Sequence, residues 1–439
     1  MARAGGGLDL GVARIVVKRV LMVAFHYPPA FGSSGVQRAL KFSQYLPEHG
    51  WSPLVLTVHP RAHERSSTSQ LADVPAEAIV KRAFALDAAR HLALGGRYPR
   101  SLALPDRWAS WLLGGVPAGL ALIRRYRPQV IWSTYPIATA MLIGLLLHRL
   151  SGLPWIADLR DPMVDDEFPS DARVRRAHGW IEERTLREAA CVVFTAPGTQ
   201  RLYRDRYGLE DARSLCIANG YDEENFAQAS RLTSATQRSS QQLHLVHSGI
   251  LYPHDRDPGM FFAALAALAR RGVVSTDDLR VTLRASAHED TLGPMIERAG
   301  IQDLVRLEPG VAYTDALAEM MSADGLLVFQ ASSCNHQIPA KLYEYLRSGR
   351  PIFALTDPAG DTATTLRECT GGEIARIDDA ADIERRLEAF LSQLRARTAA
   401  TAAPEIAARY SRRAQTAVLA GLLDRFLPAG ALRAEVDRG

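Results

Sequence analysis

The sequence predicts an α/β protein built from two doubly wound parallel-sheet domains that face each other across a cleft. Three observations carry this. Short continuous apolar runs alternate with amphipathic helical stretches, the pattern of strands covered on both faces. The alternation restarts near residue 243. The chain has 439 residues, 47% hydrophobic and 23% charged, which is enough for two or three domains with large cores.

In chain order, Val20–Phe25 reads as a buried strand. Ser34–Leu46 follows as a helix with Val36, Ala39, Phe42 and Leu46 on one face, ended by Pro47. Further strands are predicted at Pro53–Val58, Val130–Ser133, Trp155–Asp158 and Cys191–Thr195. The second series has a strand at Leu243–His247, a helix at Pro258–Arg271, and strands at Leu279–Arg284, Leu304–Leu307, Gly325–Phe329 and Pro351–Leu355. Ala227–Gln242, rich in Ser, Thr, Gln and Ala without apolar periodicity, reads as a surface loop or linker. Thr398–Pro404 is a low-complexity connector, and Arg409–Leu427 is a last amphipathic helix. The expected division is a leader at 1–18, a first domain at 19–217, a second at 218–408, and a crossover helix and tail at 409–439. In doubly wound sheets ligands sit at the carboxyl ends of the strands, so the cleft is the expected site.

Charge is unevenly spread. Residues 1–150 carry 18 Lys+Arg against 7 Asp+Glu, whereas the chain as a whole carries 52 against 48. A basic first half suits an anionic partner: a bilayer surface, a phosphorylated lipid or a nucleic acid. The alternative is ordinary drift of surface charge. The four cysteines lack paired spacing, which argues against a disulfide framework or a zinc cage and fits a reducing compartment. No run reaches the roughly 18 apolar residues of a membrane span. The first eighteen residues make a poor signal core because Asp9 and glycines interrupt them. A cytoplasmic location is expected.

Three segments carry chemistry. In Gln337-Ile-Pro-Ala-Lys-Leu-Tyr-Glu-Tyr-Leu-Arg-Ser-Gly-Arg-Pro351, Pro339 suits the first turn of a helix over Ala340–Ser348, Gly349 suits its end, and Pro351 blocks continuation. The opening amides of this helix, with Lys341, form an anion site, and Glu344 shares the face of Lys341 three residues on. A nucleoside diphosphate uses both, with phosphates on Lys341 and ribose hydroxyls on Glu344. The competing reading is a surface ion pair. Against it, Lys341 is the only lysine after residue 81 in a chain of four, where arginine is otherwise the basic residue. The second segment is the loop His26–Gly35, with Gly32, Ser33, Ser34 and Gly35 before a helix. The third is Ile156-Ala-Asp-Leu-Arg-Asp-Pro162, which places Asp158, Arg160 and Asp161 at the mouth of a sheet; it serves either chemistry or a self-contained pair that shapes the loop.

Taken in order, these residues resemble the retaining glycosyltransferases of family four with the GT-B fold. They most resemble bacterial polysaccharide and O-antigen sugar transferases of the N-acetylfucosamine-transferase type. The resemblance runs from about residue 19 to 427. It rests on Phe25-His-Tyr-Pro-Pro with Gly35-Val-Gln-Arg38, Leu104-Pro-Asp106 with Trp111, and Trp132-Ser-Thr-Tyr-Pro136. It rests further on Asp158-Leu-Arg-Asp-Pro162, Ala218-Asn-Gly-Tyr-Asp222, Gly249 with Arg256-Asp-Pro258, and Pro339-Ala-Lys-Leu-Tyr-Glu-Tyr345 with Gly349-Arg-Pro-Ile352. It implies two Rossmann-like domains, a final helix crossing back to the first, and a nucleotide sugar, UDP-linked, held by Gly32, Ser33, Ser34, Gly35, Gly249, Arg256, Ile338, Pro339, Lys341, Leu342 and Glu344. The implied catalytic residues are Asp158, Arg160, Asp161 and Lys341. The implied chemistry is front-face retaining transfer with no metal cofactor, to a saccharide or polyprenyl-diphosphate-linked acceptor. Two departures stand out. Many members have a glutamate where this chain has His336, and a histidine in the strand where it has Arg160.

A membrane-face acceptor gives the basic half a partner, with Trp108, Trp111, Leu112, Leu113, Arg124, Arg125 and Arg127 as an interfacial patch; the alternative is an ordinary buried helix. Rival functions are a nucleotide-sugar 2-epimerase of the same fold and a catalytically silent binding subunit. Nucleic-acid binding has no motif support.

Overall fold

A computed structural model describes residues 17–30, 34–68, 70–165, 168–233, 242–252, 256–369 and 372–427. Strands β1 (Lys18–Val23), β2 (Trp51–Val58), β3 (Ile79–Ala83), β4 (Val130–Thr134), β5 (Trp155–Arg160), β6 (Cys191–Phe194) and β7 (Ser214–Cys216) form one sheet in the order β3-β2-β1-β4-β5-β6-β7. Strands β8 (Leu243–Ser248), β9 (Leu279–Arg284), β10 (Val305–Glu308), β11 (Gly325–Phe329), β12 (Ile352–Leu355) and β13 (Glu373–Ala375) form a second, in the order β10-β9-β8-β11-β12-β13. Every pairing is parallel. Strand order reverses between β1 and β4 and again between β8 and β11, so each sheet opens a crevice at its own switch point.

Period-two alternation explains why both faces of β1 are apolar. Leu21 and Val23 pack with Leu54, Leu56 and Trp111, while Val20 and Met22 pack with Trp51, Trp132 and the C-terminal Leu419 and Leu423. The last helix, Arg412–Asp424, therefore belongs to the first domain's core although it follows the second sheet in the chain. Asp424 fixes its far end by accepting from Trp51 Nε1 at 3.0 Å and pairing with Lys18 at 3.3 Å. The result is the GT-B architecture.

The strands expected from apolar runs form where expected, with ends shifted by one or two residues. Three strands escape notice in the sequence. β3, β7 and β13 are short, lie at or beside sheet edges, and lack an uninterrupted apolar run. The linker reading of Ala227–Gln242 needs correction in its first part: Glu223–Thr233 is a helix. Its apolar stripe is only Phe226 and Ala229, too short to register as periodicity, yet both are buried beside Leu317 and Met320. Residues 234–241 lie outside the described residues, as do residues 1–16 of the expected leader. The C-terminal connector is shorter than expected, because Pro404–Ala408 forms a helical turn before Ser411 caps the last helix through Ala414 N at 3.1 Å.

Two crossings join the domains, and they touch. Tyr221 and Ser411 form a parallel bridge, Tyr221 N donates to Tyr410 O at 3.2 Å, and Arg412 N donates to Tyr221 O at 2.8 Å. Gly220 permits this approach: a Cβ there would stand 2.2 Å from the Tyr410 carbonyl oxygen. The helix Ser34–Tyr45 grips the first crossing with three side chains. Lys41 pairs with Asp222 at 3.2 Å, Tyr45 donates to the same carboxylate at 2.7 Å, and Arg38 donates to the Ala218 carbonyl at 3.1 Å.

Arg38 also forks onto Asp158 with two bonds of 2.8 Å, and Thr134 Oγ1 adds a third at 2.9 Å. This answers the question about Asp158. Its hydrogen-bonded partner is Arg38, and it is fully buried, so it shapes the strand end. Trp111 of the expected interfacial patch is likewise a core residue, whereas Leu113, Arg124, Arg125 and Arg127 are exposed. Among the described residues no helix is long and apolar enough to cross a membrane.

Removing one partner of a buried pair leaves an uncompensated charge. Arg38→Met is expected to destabilise the protein by about 3–5 kcal/mol, seen as a lower unfolding midpoint. The double change Arg38→Met with Asp158→Leu recovers much of that loss. A double variant no more stable than the single one would refute the assignment.

Candidate functional site

The Lys341–Ser348 helix buries Leu342, Tyr343, Tyr345 and Leu346, and Gly349 ends it at φ 67°. Tyr345 reaches furthest. Its hydroxyl accepts from Ser248 N at 2.9 Å, pinning the helix to the carboxyl end of β8. Lys341, one turn before Tyr345 on the same side, and Glu344 are left half-buried, three residues apart.

Lys341 lies over the switch point of the second sheet. Its Nζ is 2.9 Å from His247 Nε2 on β8. Gly249, next after that strand, has φ 104°, and a Cβ there would stand 3.0 Å from Nζ. Arg256 comes from the same loop, held by a bond to the Ile250 carbonyl at 3.0 Å and stacked over Tyr252 at 5.3 Å. Burial above all, and then Arg256, hold the Lys341 ammonium well below the usual lysine range, with Glu344 pulling the other way. Glu344 accepts from the Tyr313 hydroxyl at 2.6 Å. Burial raises its pKa, while Tyr313, Arg412 and Lys341 oppose the rise. Two cations and a carboxylate thus share one end of a sheet, complementary to a group that has both negative charge and hydroxyls.

The sequence expected the first-turn amides to face a phosphate; two of them are engaged within the chain. Leu342 N donates to Pro339 O at 2.9 Å and Tyr343 N to Ala340 O at 3.2 Å, because the chain enters the helix through a tight turn. The Lys341 and Arg256 side chains add positive charge beside this turn. Ile338 and Leu342 bury their side chains in the second domain's core.

On the first domain, Arg160 ends β5 at a register shift, with φ 62° and little exposure, and its Nη1 donates to Tyr135 O at 3.4 Å. Such a conformation in a non-glycine residue stores strain where a side chain must be aimed. Burial raises the Asp161 pKa, opposed by Arg160 and by His336 of the second domain. His26, at the end of β1, is pushed down to about 3 by burial and then by Arg160. Asp161 therefore lies within electrostatic reach of His336 across the cleft, while Asp158 stands behind it. Thr199 donates to the His336 carbonyl at 2.6 Å, and Arg201 pairs with Asp361 at 2.6 Å, so the walls of the cleft touch. Gly32 and Ser33 lie outside the described residues; Ser34 and Gly35 open the Ser34–Tyr45 helix.

Sequence reasoning missed His247, Tyr313 and Arg412. The only hint of His247 was a polar residue inside the apolar run Leu243–Ser248. Tyr313 and Arg412 gave none, because their nearness to Glu344 arises from separate elements.

Comparison with known proteins follows the same lines. Residues 34–220 match the model of the Glycosyl transferase 4-like domain. No curated protein matches the chain. Among solved structures, sucrose-phosphate synthase from Thermosynechococcus elongatus is similar at a TM-score of 0.65 and 16% identity, over 93% of this chain and 98% of that one. Anabaena HepE in complex with UDP-glucose is similar at 0.65 and 14%, over 93% and 99%. WaaG, a glycosyltransferase involved in lipopolysaccharide biosynthesis, is similar at 0.58 and 14%, over 92% and 99%. These likenesses show the GT-B fold, and the domain match supports a glycosyltransferase.

A bound diphosphate raises a depressed lysine pKa, so binding takes up a proton wherever free Lys341 is partly neutral. Affinity for a nucleoside diphosphate is expected to fall as pH rises through the Lys341 pKa of the free protein, and calorimetry in buffers of different ionisation enthalpy should show proton uptake. In Lys341→Met both effects disappear. Uptake persisting in that variant would place the titrating group elsewhere.

Proposed function

We propose that the chain is a retaining glycosyltransferase that moves a hexosyl or N-acetylhexosaminyl group from a nucleotide-diphosphate donor, UDP-linked, to a saccharide or lipid-linked glycan acceptor in bacterial polysaccharide or glycoconjugate synthesis. The observation that carries this is the placement of Lys341 and Glu344, one helical turn apart, beside Gly249 and Arg256 at the carboxyl end of β8. The domain match and the likeness to HepE, which was solved with UDP and with UDP-glucose, support the reading.

In this reading the diphosphate meets Lys341 and Arg256, and Glu344 accepts from the ribose hydroxyls. Breaking the bond from sugar to phosphate builds charge on the leaving diphosphate. Fixed cations in a partly dehydrated cleft stabilise that charge more in the transition state than in the ground state. Charge neutralisation falls to these side chains, with no metal assigned. Arg160 and Asp161 face the reacting sugar and the acceptor, and His336 stands on the donor side of the same space. Exposed Leu113, Arg124, Arg125 and Arg127 suit an acceptor presented at an anionic membrane face on the cytoplasmic side.

The test is a panel of nucleotide sugars with the purified full chain. A true donor at one hundred times its Kd stabilises the fold by about 2.7 kcal/mol, and transfer releases UDP and gives a product of retained anomeric configuration. Lys341→Ala is expected to lower kcat/KM about 10²- to 10³-fold. Epimerised sugar in place of transfer, or donor binding without turnover across acceptors, would decide for the epimerase or the silent subunit.

A further inference from the structure

We propose that His247 is a positioning residue of the donor site: a buried imidazole at the end of β8 that accepts a hydrogen bond from Lys341 and sets the lysine's place over the diphosphate. The inference deepens the donor-site reading above and rests on it.

Geometry fixes the role of each ring atom. His247 Nδ1 is 2.8 Å from the Leu327 carbonyl on the neighbouring strand β11. A carbonyl oxygen only accepts, so Nδ1 carries the proton. The ring has no accessible surface, and burial followed by Lys341 holds its pKa well below 6.5, so it is neutral. Nε2 therefore presents a lone pair, and the Lys341 group 2.9 Å away must be the donor. The chain of contacts runs from a strand carbonyl through a rigid ring to the lysine. Edge-on packing against Phe329 at 5.2 Å holds the ring plane.

This arrangement addresses a cost peculiar to lysine. Its four-carbon stem has many rotamers and its charge sits at a point. A donor site that relies on Lys341 needs the ammonium placed before the substrate arrives. His247 occupies one of its N–H bonds from the sheet side and leaves the others for the cleft. The other charged groups facing Lys341 are Arg256, from the loop after β8, and Glu344 on its own helix. Neither is anchored to a strand, so His247 alone of the three ties the lysine to the sheet.

The experiment compares His247→Leu, which removes the acceptor, with His247→Gln, whose amide oxygen restores one near Nε2. Lys341→Ala serves as the control for the donor-site reading. His247→Leu is expected to lower kcat about 10- to 100-fold, with a smaller change in donor KM, the pattern of a misplaced charge acting in the transition state. His247→Gln should recover most of kcat at an unchanged unfolding midpoint. Nitrogen NMR of the wild-type chain should show a neutral, Nδ1-protonated ring from pH 5 to 9, a readout that holds even if the leucine variant fails to fold. Wild-type kcat in His247→Leu, equal losses in both folded variants, or a ring protonated on Nε2 would each overturn the proposal. If Lys341→Ala alone leaves UDP affinity and turnover intact, the donor-site reading itself fails.

Discussion

A buried guanidinium ties the two halves of this molecule together. Arg38 forks onto Asp158 at the end of β5 and, with its remaining nitrogen, holds the Ala218 carbonyl where the chain leaves the first domain. The carboxylate is matched by three donors and the pair is dry, so its geometry is rigid. Because the same Arg38 touches both the sheet and the crossing, the carboxyl ends of β4 and β5 keep a defined relation to the second domain. The close passage of Gly220 under Tyr410 and the return of the last helix onto the first core reinforce that relation. A cleft whose walls come from separate sheets depends on such fixed crossings.

Within the cleft the charges divide by domain. The second domain contributes Lys341, Arg256 and Glu344, packed so that each shifts another's proton affinity. The first contributes Arg160 and Asp161, aimed by a strained residue at a register shift. Perturbed groups gathered at two switch points mark a candidate site, and a solvated surface ion pair does not produce them. Glu344 also feels Arg412, so the returning crossover comes near the Lys341–Ser348 helix.

Legibility in the sequence followed the range of the forces involved. Continuous apolar runs such as Val130–Ser133 and Leu279–Arg284 declared central strands because burial on both faces leaves room for little else. Pro339 and Gly349 bracketed the Lys341–Ser348 helix, and its i, i+3 spacing put Lys341 and Glu344 on one face before any coordinates. The edge strands and the helix Glu223–Thr233 were hidden because their apolar content is small and its value is set by neighbours such as Leu317 and Met320. Asp158 and Arg160 looked like partners since they are two residues apart. In a strand, residues two apart share a face, but a register shift and a left-handed turn separate these two.

The sequence by itself determined the two parallel sheets, the helix that bears Lys341 and Glu344, and the polarity of the two halves, because local periodicity, helix punctuation and composition act within a few residues. Only the tertiary structure decided which carboxylate is clamped and which faces the cleft, and that His247, Tyr313 and Arg412 surround Lys341 and Glu344. Those outcomes come from groups tens to hundreds of residues apart along the chain. Desolvation and hydrogen-bond geometry act on distance in space, which no spacing in a sequence records.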